Sequence, residues 1–251
     1  MALVMCAIAV IAALGAGVPT AVAQPLTVSV ASSLSDVMAD VGRAWQAAGG
    51  PGITLNPGGS NVLARQIAQG APVAVFVSAD RAQMDVAQAS GRVLEASRRD
   101  VLSNTLVVIV PAGRGGALQP SDLAAARVRR VALGNPDSVP AGVYARQWLE
   151  RIGLWPSVAP KVVPTLTVRA ALAAVRAGRV DAGVVFATDA RTAPDVLVAY
   201  TVPAADAPVI RYPAAVVRGP REAEAARFVA FLTSPVARHV FEAAGFLVVA
   251  S

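Results

Sequence analysis

Apolar and polar positions change period repeatedly along this chain. Leu26-Thr27-Val28-Ser29-Val30 alternates with the two-residue period of a strand. Behind Ser32-Ser33-Leu34-Ser35-Asp36, the residues Val37, Val41 and Trp45 recur at helical spacing, and Gly49-Gly50-Pro51-Gly52 ends that helix. Ile53-Thr54-Leu55 is a second short strand. Gly58-Gly59-Ser60-Asn61 then opens a helix with Leu63, Ile67 and Ala68 on one face, ended by Gly70. Residues 73–77 form an unbroken apolar run, the signature of a strand buried on both faces, and Asp80 predicts the cap of a third helix reaching towards Ala89.

A second series follows. Residues 106–110 read as a buried strand bounded by Pro111 and the Gly113-Arg114-Gly115-Gly116 turn. Val131-Ala132-Leu133 leads to a helix starting near Pro140-Ala141-Gly142, and Val162-Val163 leads to one starting near Thr167-Val168. Residues 180–186 are a strand, residues 196–217 run extended, and helices over 221–232 and 235–244 close the chain. Repeated β-α units predict an α/β protein with mainly parallel sheets flanked by helices. Two such series with a returning tail predict two lobes joined by two crossing strands, with a ligand cleft between them. The boundaries fall at 24–103 plus 210–251 for lobe 1 and 104–209 for lobe 2.

Composition narrows the chemistry. Residues 1–23 are almost wholly apolar and end Ala21-Val22-Ala23, a small-x-small pattern that predicts a signal peptide removed after Ala23. Their apolar stretch is short for a bilayer span. No Lys or Arg precedes it, so a retained anchor is the alternative. Cys6 sits too early, and without the small residue before it, for a lipid attachment site. Export after Ala23 removes this one cysteine, and with it disulfides, thiol catalysis and Cys-based metal sites. The single histidine, His239, lies on the expected C-terminal helix, so a multi-His zinc site is excluded and a packing or surface role is expected. A net charge of +6 comes from scattered arginines, with Lys161 the one lysine. Such a balance attracts anions. It lacks the clustered basic and aromatic residues of a nucleic-acid surface.

The strand-to-helix turns are the most informative places. Ser32-Ser33, Ser60-Asn61, Pro140-Ala141-Gly142 and Thr167-Val168 all put small or hydroxylated residues where a helix begins. The first turn of a helix carries N–H groups without intrahelical partners, at the positive end of the helix dipole. Anions bind there without Arg or Lys. In open α/β sheets ligands gather at the carboxyl ends of strands, where these turns lie. Each turn alone is equally an ordinary N-cap. Gly58-Gly59 adds a backbone that a ligand can approach closely. Gly113-Arg114-Gly115-Gly116 lacks the Gly-Lys-Ser/Thr ending of a phosphate loop.

Ala31-Ser32-Ser33-Leu34-Ser35-Asp36 resembles the corresponding turn of the periplasmic molybdate-binding proteins of ABC transporters. The likeness continues through Gly59-Ser60, Leu63-Ala64-Arg65-Gln66-Ile67, Gly70-Ala71-Pro72 and Ser78-Ala79-Asp80. It extends through Gly134-Asn135-Pro136-Asp137-Ser138-Val139-Pro140-Ala141-Gly142-Val143-Tyr144, Val168-Arg169-Ala170-Ala171-Leu172, Asp181-Ala182-Gly183-Val184-Val185 and Tyr212-Pro213-Ala214 to Gly245-Phe246. The resemblance implies a type II periplasmic-binding fold and an extracytoplasmic, periplasmic binding protein that is not an enzyme and has no cofactor. Its ligand would be molybdate or tungstate, its partner an inner-membrane ABC permease, and its working form a monomer. The family holds its anion with two serines, two backbone amides and a tyrosine hydroxyl. On this chain these positions are Ser33 and Ser60, the amides of Ala141 and Val168, and Phe186. Phe186 has no hydroxyl and becomes a pocket wall, which lowers the expected affinity by roughly tenfold unless a water or the Thr188 hydroxyl substitutes. Ala74 stands where the family usually has Asp.

Such a donor set favours anions without protons. Molybdate, tungstate and sulfate only accept hydrogen bonds near pH 7, whereas phosphate carries a proton that needs a protein acceptor. A site of Ser33, Ser60, Ala141 and Val168 offers no carboxylate, at a cost to phosphate of roughly 1–3 kcal/mol. Phe186 leaves open a different oxyanion or small acid. A non-transport sensor would use the same hinge. A hydrolase would need a nucleophile with a base, for which His239 is the one histidine.

Overall fold

The computed structural model describes residues 24–114 and 118–249. The expected signal peptide at 1–23, with Cys6, and Gly115-Gly116 of the glycine-rich turn lie outside them.

The chain starts with β1 (Leu26–Ala31), on which every residue except Thr27 is buried. It earns that place by pairing on both edges, parallel to β2 (Ile53–Gly58) and to β3 (Val75–Val77). Between them α1 (Ser35–Ala47) buries Val37, Met38, Val41, Gly42 and Trp45, the face its helical spacing predicts. The helix α2 (Ser60–Ala68) buries Leu63, Ala64 and Ile67. Along β3 the side chains alternate between faces: Val75 and Val77 join the main core, and Phe76 joins a smaller one with Leu63, Ile67 and Met84 of α3 (Arg81–Ala89). A strand absent from the sequence reading, β4 (Arg99–Ser103), ends this half.

The chain crosses at Asn104-Thr105 into β5 (Leu106–Pro111) and builds β6 (Val131–Gly134), α4 (Pro140–Arg151), α5 (Trp155–Val158), β7 (Val162–Thr165) and α6 (Val168–Arg176). It continues through β8 (Ala182–Phe186), α7 (Ala187–Arg191) and β9 (Val196–Thr201). It returns into β10 (Tyr212–Val216) and closes with α8 (Glu222–Phe231), α9 (Pro235–Ala243) and the two-residue β11 (Leu247–Val248). The first sheet has the order β11-β4-β10-β3-β1-β2 and the second β7-β6-β8-β5-β9. Residues on either side of the two crossings therefore belong to different sheets, and each sheet with its helices is one lobe of a type II periplasmic-binding fold.

The expectation of mainly parallel sheets needs correction, because both sheets are mixed. In the first, β10 runs antiparallel to β3 and β4; in the second, β5 runs antiparallel to β8 and β9. These two are the strands that bring the chain in from the opposite lobe. They begin at the interlobe edge, whereas the strands of the β-α units end there. Among the described residues no helix is long and apolar enough to cross a membrane.

Candidate functional site

The carboxyl ends of β1, β2 and β8, with the N-terminal turns of α2, α4 and α6, surround a cavity between the lobes of ≈ 210 Å³ of free space. Ser33 and Ser60 line it from lobe 1, and Ala141, Val168 and Phe186 from lobe 2. The structure thus brings together all five residues singled out from the sequence. None of its twelve lining residues is charged. Part of that space is open to solvent and the enclosed room is small, so the occupant is small.

Three of the helix starts around the cavity lack a side-chain cap, and the fourth, α6, has one. Asp80 caps α3 by accepting from the Gln83 N–H, and Ser234 caps α9 by accepting from Ala237. At the cavity, α1, α2 and α4 follow Leu34, Gly59 and Val139, with no side-chain cap. On α6 the Thr167 hydroxyl accepts from Ala170, which leaves the earlier amide of Val168 uncapped. Ala141 and Val168 occupy the first turns of α4 and α6, so neither amide has an intrahelical acceptor. The positive ends of these helix dipoles meet at an uncharged cavity, an arrangement suited to an anion.

The serines are held from behind. Ser60 Oγ accepts from the Ala79 N–H at 3.0 Å, which leaves its own proton free to donate. Ser33 Oγ lies 3.4 Å from the Tyr212 hydroxyl. Asn104 Nδ2 donates to Tyr212 Oη at 3.2 Å and to Thr188 Oγ1 at 2.8 Å. Thr188 is therefore part of this buried chain at the lobe crossing, not on the cavity wall, and does not stand in for a hydroxyl at Phe186. The Phe186 ring is buried against Tyr212, with centroids 5.7 Å apart, and against Tyr144 at 6.4 Å. Ala74 lies away from the cavity, its N–H bonded to the Thr27 carbonyl and its carbonyl to the Val217 N–H.

Two glycines serve packing more than ligand access. A Cβ on Gly59 would sit 2.8 Å from the Leu166 carbonyl of the opposite lobe, and one on Gly142 would sit 1.8 Å from the Gly134 carbonyl. Around the cavity the lobes touch directly. Asn61 Nδ2 donates to Ser138 Oγ at 3.2 Å, and Gln83 Nε2 to the Ser138 carbonyl at 3.4 Å. Arg169 on α6 pairs with Asp36 on α1 across the lobes at 2.8 Å and with Asp189 of α7 at 2.6 Å. The Asp189 contact is an ion pair without a well-aligned hydrogen bond. Burial pushes the Asp189 carboxyl up to about 7 against the pull of the Arg169 guanidinium, and burial pushes Asp80 up to about 6.

The sequence reading missed Asn104 and the joining role of Tyr212. An Asn just ahead of the apolar run 106–110 was the available signal. His239 is exposed on α9 and is not among the cavity residues.

The family model of bacterial extracellular solute-binding proteins matches residues 26–247. The chain is 33% identical over 231 residues to the molybdate-binding protein ModA of Escherichia coli, covering 89% of each. The substrate-binding domain of a putative molybdenum ABC transporter from Clostridium difficile superposes with a TM-score of 0.70 at 30% identity, covering 90% of this chain and 99% of that one. The periplasmic molybdate-binding protein of Azotobacter vinelandii shares the fold, with a TM-score of 0.79 at 24% identity over 90% of this chain and 100% of that one. With residues 26–247 matched by the family model, the chain belongs to the bacterial extracellular solute-binding proteins and, like these relatives, is a binding protein, not an enzyme.

Proposed function

We propose that this protein captures molybdate, or tungstate, as an unprotonated tetrahedral dianion in the interlobe cavity and delivers it to an inner-membrane ABC permease. Ser33 and Ser60 donate hydroxyl hydrogen bonds, Ala141 and Val168 donate backbone N–H bonds, and Phe186 forms an apolar wall. The observation that carries this reading is the convergence of these four donors on one small cavity without a charged side chain. Named relatives that bind molybdate support the choice of anion. The protein acts in the periplasm as a monomer, after cleavage behind Ala23.

The absence of a carboxylate among the cavity residues sets the selectivity. Phosphate would enter with a proton that finds no acceptor, at roughly 1–3 kcal/mol. Sulfate has the right charge but is smaller, so cleft size must exclude it. Calorimetric titration of the purified protein with molybdate, tungstate, sulfate and phosphate tests this. Molybdate and tungstate should bind at micromolar concentrations or below, sulfate more weakly and phosphate least. No heat with molybdate or tungstate at those concentrations overturns the proposal. A preference for sulfate or a small organic acid transfers the site to another anion, the reading that Phe186 favours.

A further inference from the structure

A serine hydroxyl is a rotor, and whether it donates or accepts depends on its neighbours. For Ser60 a backbone N–H settles the matter, since Ala79 can only donate. The neighbour of Ser33 is another hydroxyl, that of Tyr212, and either could be the donor. Two hydroxyls facing each other leave the direction open, and it is decided further back.

The Thr105 N–H donates to Asn104 Oδ1 at 2.9 Å, which fixes which way the Asn104 amide points. Its Nδ2 then faces Tyr212 Oη at 3.2 Å and Thr188 Oγ1 at 2.8 Å. An amide nitrogen only donates, so the Tyr212 oxygen accepts from Asn104 and its own proton remains for Ser33. Ser33 Oγ accepts that proton, and its own hydrogen is left to point elsewhere. Ser33 lines the cavity. The last step rests on Ser33 Oγ being, among the described residues, the acceptor beside the Tyr212 proton.

We propose that Asn104 and Tyr212 form a one-way hydrogen-bond relay that sets Ser33 as a donor to the bound anion. Tyr212 is a positioning residue in this scheme, because it acts on the ligand through Ser33. The inference rests on the reading of Ser33 as a ligand residue. Burial raises the Tyr212 hydroxyl well above its ordinary value, so it stays protonated and able to donate throughout the neutral range. Asn104 stands between β4 and β5, and Tyr212 opens β10, so the relay joins both crossings of the chain to one donor. Without the Asn104 donor, Tyr212 could accept from Ser33, which would then offer the anion a lone pair. Without the Tyr212 hydroxyl, Ser33 loses the donor that holds its oxygen and its rotor is free.

The test is a double-mutant cycle read by molybdate calorimetry on the wild type, Tyr212→Phe, Ser33→Ala and the double variant. Tyr212→Phe keeps the ring contacts to Phe186 and Phe246, and Asn104 Nδ2 keeps Thr188 as acceptor. It should weaken binding roughly three- to tenfold, with melting temperature changed by only a few degrees. In the Ser33→Ala background the same change should have no further effect, because no hydroxyl is left to direct. Unchanged affinity in Tyr212→Phe overturns the relay. Losses that add in the double variant also overturn it, since Tyr212 would then act by packing. Unchanged affinity in Ser33→Ala overturns the site reading itself, and a wild type that takes up no molybdate, tungstate or sulfate removes both.

Discussion

The two lobes face the cavity with different kinds of donor. Lobe 1 offers the hydroxyls of Ser33 and Ser60, and lobe 2 offers the first-turn amides of α4 and α6. An amide is aimed by the backbone and survives any side-chain change except proline. A hydroxyl must be aimed by its surroundings, and one substitution removes it. This explains why lobe 1 carries supporting bonds behind its donors, from Ala79 to Ser60 and from Tyr212 at Ser33, while Ala141 and Val168 need none.

The largest effect should come from stripping lobe 1. Each lost bond to a charged acceptor costs about 1.5–3 kcal/mol, so Ser33→Ala with Ser60→Ala should weaken molybdate binding at least roughly a hundredfold. Calorimetry measures this directly. A loss below tenfold would mean that the lobe 2 amides hold the anion nearly alone.

Lobe 2 is tested by the one substitution that deletes an amide. Val168 is the first residue of α6, where proline is well tolerated, and Thr167 before it is extended at φ −150°, ψ 162°, as a residue preceding proline should be. Val168→Pro should therefore fold and lose roughly tenfold to a hundredfold in affinity, whereas Val168→Ala, which keeps the amide, should lose less than about threefold. Titrations of the two variants beside their melting curves check the contrast. Equal losses would assign the effect to the side chain.

Much of this site could be read from the sequence because it is local. A strand, a turn with small residues and a helix start occupy consecutive positions, and the turns at Ser33, Ser60, Ala141 and Val168 follow that pattern. What could not be read depends on residues far away along the chain. Whether Ser60 caps α2 or faces a ligand is decided by Ala79, and a Cβ on Gly59 is excluded by Asn61 and by the Leu166 carbonyl of the opposite lobe. The relay joins Ser33 to a tyrosine separated from it by 179 positions. Sheet direction was hidden for a related reason, since β5 and β10 are reversed by the crossings. The strand β4 was masked by its charged start, Arg99-Asp100.

Phe186 lies at the seam between the two kinds of donor, with its ring buried against Tyr144 and Tyr212. Phe186→Tyr would add a hydroxyl on a lobe that otherwise supplies amides. Tighter molybdate binding by up to roughly tenfold is expected. Unchanged or weaker binding in the titration would show that the packed ring leaves the new hydroxyl no path to the anion.

The lobes also differ in how they bury an acid, and this predicts the smallest effect, on stability rather than affinity. Asp80 of lobe 1 caps α3 without a cation in contact, while Asp189 of lobe 2 has Arg169 beside it. Burial pushes Asp80 up to about 6 and Asp189 up to about 7, both from 3.8. A carboxyl whose value is raised on folding contributes stability that is fully present below its unfolded value, and that is lost as pH rises through the folded one. The melting temperature should therefore fall from about pH 4 to about pH 7 rather than rise. Asp80→Asn keeps an oxygen to accept from the Gln83 N–H, at 2.8 Å in the native protein, and removes the charge. In this variant the fall between about pH 4 and pH 6 should become shallower, and the remaining slope, extending to about pH 7, is that of Asp189. Scanning calorimetry across that range, on both proteins, gives the two curves. Parallel curves would mean that Asp80 is ionised without penalty, and that the cap is solvated better than its burial implies.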